Sequence, residues 1–183
     1  SFSGISRICE YEPELLRKHK VYLTEIINRH YSLPKLEQSA FVEKFKVDPS
    51  IILPSSFRNE DNVVGFSKDI SKGIFCSRTI LYRAIQIAYS IGYRRIYLLG
   101  MDLGYQGNPR FYEEGLSSRP SKLEKDYEPY ILPSFEVASE LMSNHEVEIY
   151  NVSDKSRLPV SVIPRISFED AINENTPSQY FTK

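Results

Sequence analysis

The chain has 183 residues, 41% apolar and 26% charged, with a formal net charge of −1 at pH 7. That balance suits one globular domain with a real core; it excludes a disordered chain and gives no bulk positive charge for gripping nucleic acid. Cys9, Cys76 and three scattered histidines (His19, His30, His145) supply neither a disulfide framework nor a metal-ligand spacing. No apolar run approaches the roughly 20 residues of a membrane span, and the opening SFSGISRICEYEPELL lacks the apolar core of a signal peptide, so a reducing, cytoplasmic setting is expected.

Glu12-Pro13-Glu14 reads as a helix start, with Pro in the first turn and acids against the dipole. Leu16, Leu23, Ile26, Ile27 and His30 continue that helix to Tyr31, and His19 and His30 edge its surface. Leu36, Ala40, Phe41 and Phe45 form a second, shorter amphipathic helix, which makes residues 1–47 a helical segment. Asp48-Pro49 breaks the pattern. Ile51 to Leu53 and Val63 to Phe66 read as short strands, with a polar loop from Ser67 to Lys72.

Residues 73–105 organise the rest: loop, helix, turn, strand, loop. Ser77 or Thr79 is a good N-cap, and the free amides there suit a phosphate, although no Walker A or GxGxxG pattern announces one. Leu81, Ala84, Ile85, Ala88 and Ile91 share one helical face, and Gly92 offers a left-handed end. Arg95 to Leu99 (RIYLL) then fits a parallel strand buried on both faces. Asp102 follows its carboxyl end, where open α/β sheets bind ligands; spacing alone leaves chemistry and a turn cap both open.

Residues 104–133 form a long irregular segment rich in Gly, Pro and Tyr, the composition and length of a lid. Ser134 caps a helix carrying Phe135, Ala138, Leu141 and Met142, which ends at Asn144-His145. Val147 to Tyr150 is the next parallel strand, and Asn151-Val152-Ser153 lies at its carboxyl end. A polar loop through Ser156 follows, then an edge segment at Val160 to Ile163. A short helix near 168–173 is capped by Ser167 with Asp170. Two helix–strand units, 78–99 and 134–150, with adjacent parallel strands define an α/β fold: a Rossmann-like parallel sheet flanked by helices, with a helical N-terminal third. The chain is read as a single domain over 1–183, or as the C-terminal part of a longer protein.

The stretch AIQIAYSIGYRRIYLLGMDLGY resembles the second nucleotide-binding half of bacterial sialyltransferases of glycosyltransferase family 42. It is similar also to the related DUF115 proteins and to transferases of 3-deoxy-D-manno-octulosonic acid (Kdo). The likeness covers residues 73–165, and the small residues and Asp after the strand are its most specific part. Such enzymes move a nonulosonic or ulosonic acid from a CMP-activated donor to a saccharide acceptor. By position, the resemblance implies that Ser77 and Thr79 touch the CMP phosphate or ribose. Asp102 would lie in the donor site, Tyr105 near the phosphate, and Asn151, Ser153 and Ser156 along the cytidine edge. Arg110, Tyr112, Asp126 and Tyr127 would belong to the lid and acceptor side.

Two departures stand out. The family's N-terminal glycine-rich strand–loop has no counterpart here, and residues 103–144 contain no histidine to match the family's lid base. The expected function is a CMP-sugar-dependent glycosyltransferase of bacterial surface polysaccharide assembly. It would need no metal because the leaving group is a single phosphate. It would be cytoplasmic, at most peripheral to the inner membrane, and either part of a larger polypeptide or oligomeric. The alternatives are a non-catalytic sialyltransferase-like scaffold module and a DUF115-type, Mg²⁺-dependent nucleotide enzyme.

Overall fold

The computed structural model describes residues 8–20, 24–28, 38–57, 63–103 and 122–175. Two helix–strand units form its centre. Helix α3 (Ile80–Ser90) leads into strand β3 (Arg95–Leu98), and helix α5 (Leu132–Ser143) leads into β4 (Glu148–Asn151). β3 and β4 pair in parallel, with Arg95 opposite Glu148 and Leu98 opposite Asn151. Cross-strand contacts fix that register: Arg95 pairs with Glu148, and the Tyr97 and Tyr150 rings stack 5.7 Å apart.

The sheet is smaller and less covered than the sequence implies. Among the described residues β3 and β4 form a two-stranded sheet, extended only by an isolated bridge from Asn151 to Arg165, and β1 (Ile51–Ile52) and β2 (Phe66–Ser67) make a separate antiparallel pair. Leu98 is buried, Ile96 and Tyr97 are half-buried, and Arg95 and Leu99 are exposed. The observed class is thus mixed helix and sheet, with two small sheets in place of one wide parallel sheet.

Helix α3 begins where expected. The Thr79 hydroxyl oxygen accepts the Tyr82 amide at 3.3 Å. Gly92, at φ +105°, ends the helix by donating to Tyr89 O while Tyr93 donates to Ala88 O, each at 3.0 Å, a Schellman closure. Its buried face, however, is Tyr82, Ile85, Gln86 and Tyr89; Ala84 and Ile91 are exposed. Aliphatic periodicity misplaces the face because three of the four buried side chains carry polar ends, and each end finds a partner. Tyr82 Oη donates to Gly65 O and Tyr89 Oη to Glu146 Oε2, both at 2.8 Å. Gln86 Oε1 accepts from Ser67 N and Phe75 N, and its Nε2 donates to Phe75 O and Tyr82 O. Phe66 stands edge-on to Tyr82 and Tyr89, and Tyr82 edge-on to Phe135, so α3, β2 and α5 share one aromatic core.

Ser134 does not cap α5. Instead α4 (Leu123–Asp126) and a π-helical turn (Tyr127–Ile131) run straight into it, so the segment read as irregular to 133 is helical from 123. Pro129 and Pro133 lack amide donors, and the ladder widens there: Leu132 N–H reaches Tyr127 O. Ser134, buried inside the helix, donates its hydroxyl to Tyr130 O at 2.7 Å.

Among its described residues the N-terminal third is only partly helical; Leu23, His30, Tyr31 and Leu36, expected in its two helices, lie outside them. Helix α1 (Pro13–Lys18) stops at His19, which is extended, and α2 is Gln38–Phe45. Ile26 forms a parallel bridge to Ile74, flanked by bonds from Ile27 N to Ile74 O and from Ile74 N to Glu25 O. Gly73 makes that approach possible: at φ +103° it has no Cβ, and one added there would lie 2.3 Å from Ile27 Cγ2. The 160–163 stretch is a turn, not an edge strand, and Arg165 bridges Asn151 instead. Helix α6 (Phe168–Asn175) is capped as expected by Ser167, whose hydroxyl accepts Asp170 N at 3.0 Å. No helix among the described residues is long and apolar enough to cross a membrane.

Candidate functional site

Because α3 and α5 each precede a parallel strand, their N-terminal ends meet the carboxyl ends of β3 and β4 on one edge. Two loops leave the strands there, 99–103 and 152–157. Val152 N continues the strand pairing to Leu98 O at 2.9 Å, and two bonds fasten the loops together: Met101 N to Ser153 Oγ at 2.7 Å and Arg157 N to Asp102 O at 3.0 Å. Gly100 and Leu103 both adopt positive φ, +72° and +55°, so the first loop turns sharply. The buried Leu103 side chain anchors that turn in the core, holding a conformation that non-glycine residues rarely keep.

Asp102 sits on this turn and is exposed. Exposure means that burial gives this carboxylate no reason to be functional, and a role in chemistry would follow from its place at the strand end. Ser77 is fully buried, and its hydroxyl lies 3.1 Å from that of Thr79, which caps α3. Asn151 is buried, with Oδ1 accepting Ser153 N at 2.9 Å, and the Ser156 hydroxyl, also buried, accepts Leu158 N at 3.3 Å. These side chains shape the edge from beneath. Half-buried Ser153 does so too, through Met101 N.

Tyr127 belongs to the same edge. Its hydroxyl donates to Arg157 O at 3.0 Å, and the Arg157 guanidinium lies 3.8 Å from its ring centre while pairing with Glu124. Asp126 ends α4 one residue earlier and is half-buried. Tyr105, Arg110 and Tyr112 lie outside the described residues. The sequence reading missed Arg78, Tyr130 and Arg157. The Arg78 guanidinium stacks 4.3 Å from the Tyr130 ring centre, tying the start of α3 to the π turn. Arg78 stands between the two hydroxyl residues Ser77 and Thr79, and Arg157 closes the loop after β4; an arginine beside a cap or beyond a strand end was the available signal.

Hydrogen bonds from Lys68 and Tyr89 hold Glu146 below its ordinary range, and burial drives Tyr82 well above its own. No group of three or more His, Cys, Asp or Glu that could hold a metal occurs among the described residues. Cys9 and Cys76 are both unbridged.

The described residues thus form a mixed helix-and-sheet protein whose one parallel strand pair carries tyrosines, arginines and an exposed carboxylate at its carboxyl edge. The family described as 3-deoxy-D-manno-octulosonic acid transferase WaaZ matches residues 14–169, and the chain belongs to it. It is 32% identical over 166 residues to a probable 3-deoxy-manno-octulosonic acid transferase of Escherichia coli strain K12, covering 87% of this chain and 57% of that relative. It is 35% identical over 150 residues to the same-named protein of Salmonella typhimurium strain LT2, covering 78% of this chain and 54% of the relative. The chain thus spans a little over half the length of these curated relatives. No solved structure matches it.

Proposed function

We propose that this chain forms the donor-site part of a glycosyltransferase that moves Kdo, or a closely similar ulosonic acid, from a CMP-activated donor to a saccharide acceptor in lipopolysaccharide assembly. The observation that carries the reading is the joined pair of loops at the strand ends, which sets Asp102 beside Arg157 and Tyr127 in a chain of the Kdo transferase family. Breaking the bond to CMP leaves positive charge on the sugar ring and negative charge on the departing phosphate. The Asp102 carboxylate stabilises the first, and cationic and hydroxyl donors along the edge stabilise the second. Ser77, Asn151, Ser153 and Ser156 act from beneath by fixing the loops. Thr79, Tyr105, Arg110, Tyr112, Asp126 and Tyr127 are assigned to the nucleotide, lid and acceptor surfaces. A single phosphate leaves, so turnover proceeds without a divalent cation, in the cytoplasm or at the inner face of the inner membrane.

A non-catalytic module of the same family is the second reading. The burial of Ser77, Asn151 and Ser156 supports it, since these hydroxyl and amide groups are spent inside the protein. Calorimetry with CMP, UMP and GMP separates the two. Preferential CMP binding, with Kdo transfer in the presence of a chelator, supports the transferase. Equal or absent binding of all three puts the module ahead, and transfer only with Mg²⁺ points to the DUF115-type alternative.

A further inference from the structure

Elsewhere in the described structure several cations meet carboxylates (Lys68 with Glu146, Lys72 with Asp48, Arg95 with Glu148, Arg157 with Glu124), and Arg94, which lies over the Tyr89 ring, donates to the Tyr89 and Tyr93 carbonyls. Arg78 and Arg83 differ. Arg78 is half-buried, and its guanidinium lies over the Tyr130 ring without a carboxylate partner among the described residues. Arg83, also half-buried, donates from Nη2 to Cys76 Sγ at 3.0 Å, and its Nε is buried with no hydrogen-bond partner. It is the one such orphaned side-chain atom among the described residues.

Both arginines belong to the loop 76–79 or touch it: Arg78 lies within it, and Arg83 is bonded to Cys76, its first residue. That loop is rigidly held: Asn28 Oδ1 accepts Cys76 N at 2.8 Å and Asn28 Nδ2 donates to Cys76 O at 3.2 Å. Arg78 itself has φ +67°, a conformation that costs an arginine energy and places it opposite Tyr130. Two partly desolvated positive charges close together in sequence, with no anion beside either among the described residues, are unfavourable unless a ligand supplies one. Their guanidinium geometry suits an oxyanion better than a point charge would.

We infer that Arg78, with Arg83 behind it, is the oxyanion-binding element of the donor site. Arg78, braced on Tyr130, makes the contact, while Arg83 adds positive potential and holds the loop through Cys76. The oxyanion is the donor's phosphate; the carboxylate of the ulosonic acid offers the same chemistry and is the other source. This inference rests on the transferase reading and adds to it the residues that grip the donor's charge.

The test is calorimetry on wild type, Arg78→Gln, Arg78→Lys and Tyr130→Leu, titrated separately with CMP, cytidine, free Kdo and inorganic phosphate. The expected result is CMP binding by wild type at least tenfold tighter than cytidine. Arg78→Gln loses about tenfold or more in CMP affinity with the melting temperature nearly unchanged, and Arg78→Lys and Tyr130→Leu fall between. A loss confined to free Kdo assigns the contact to the carboxylate instead. If wild type binds CMP and Arg78→Gln binds it equally well, the inference is overturned and the transferase reading stands. If wild type binds neither CMP nor Kdo, the transferase reading fails. The phosphate titration then decides the oxyanion element: phosphate binding lost in Arg78→Gln keeps it, and no phosphate binding overturns it.

Discussion

The amide of Arg157 donates to the carbonyl oxygen of Asp102 at 3.0 Å, so the loop after β4 is bonded directly to the loop after β3. Met101 N to Ser153 Oγ is the second fastening between them. A ligand held by one loop is therefore positioned by the other.

Ser153→Ala removes the acceptor of the Met101 amide in a loop whose Met101 side chain is fully buried. The expected cost is about 1–3 kcal/mol, the range for an amide left without its partner. Turnover per folded molecule should fall as well, because Asp102 follows Met101 in that loop. Urea unfolding and a transfer assay on the same preparation read both effects. Unchanged stability would show that water replaces the hydroxyl without loss.

Asp102→Asn separates chemistry from turn-making. Its side chain is exposed, while the bond to Arg157 uses its backbone carbonyl, which Asn keeps. Stability should stay within about 0.5 kcal/mol of wild type, as for most surface substitutions. If the carboxylate stabilises developing charge, turnover should drop by about 10²-fold or more, with CMP affinity nearly constant. Wild-type turnover in the Asn variant would end the catalytic assignment and move the search to Asp126 and Glu128.

Gln86 is the polar centre of the core. Fully buried, it satisfies the amides of Ser67 and Phe75 through one oxygen and donates to two carbonyls. Gln86→Leu has suitable size but leaves both amides without an acceptor. The expected destabilisation is about 2–5 kcal/mol, well above that of a conservative change on the exposed side of α3 such as Ala84→Ser. A denaturation midpoint close to wild type would mean that the two amides find other acceptors.

The same residue shows what the sequence could and could not disclose. The α3–β3 and α5–β4 units were legible because caps, helical periodicity and apolar runs are local signals: Thr79, Gly92 and the RIYL strand all fall where they were read. The buried face of α3 was not, because Tyr82, Gln86 and Tyr89 count as polar until their distant partners Gly65, Ser67 and Glu146 are in place. Ile26 and Ile27 read as helical for the converse reason: their apolar spacing fits a helix, but a bridge to Ile74, admitted by Gly73, takes them instead. At the site, the position of Asp102 was legible from strand order. The stacking of Arg78 on Tyr130 and of Arg157 on Tyr127 depends on a π turn that two prolines disguise as loop.

Asp48 gives a pH test of the fold that is independent of the site. Its carboxylate accepts bonds from Lys72 Nζ at 2.8 Å, from the Ser50 hydroxyl at 2.6 Å and from the Ser50 amide at 3.0 Å. These donors, Lys72 first, lower it from its ordinary 3.8 to about 2. In the unfolded chain the group titrates near the ordinary value, so between the two values the folded form holds the ionised carboxylate while the unfolded form binds a proton. The stabilisation is therefore complete above about pH 4 and disappears as the pH falls towards 2. Glu146 and Asp69 are lowered too and add their own acid lability, so the wild-type curve alone cannot isolate Asp48. Asp48→Asn isolates it: the difference in urea midpoint between wild type and variant should be constant from pH 7 to about pH 4, then shrink towards zero near pH 2. High salt should reduce the difference only in part, because it screens the Lys72 charge and leaves the Ser50 bonds in place. A difference that persists undiminished at pH 2 would show that Asn fails at this turn for reasons of shape, and that the ion pair between Asp48 and Lys72 contributes nothing to stability.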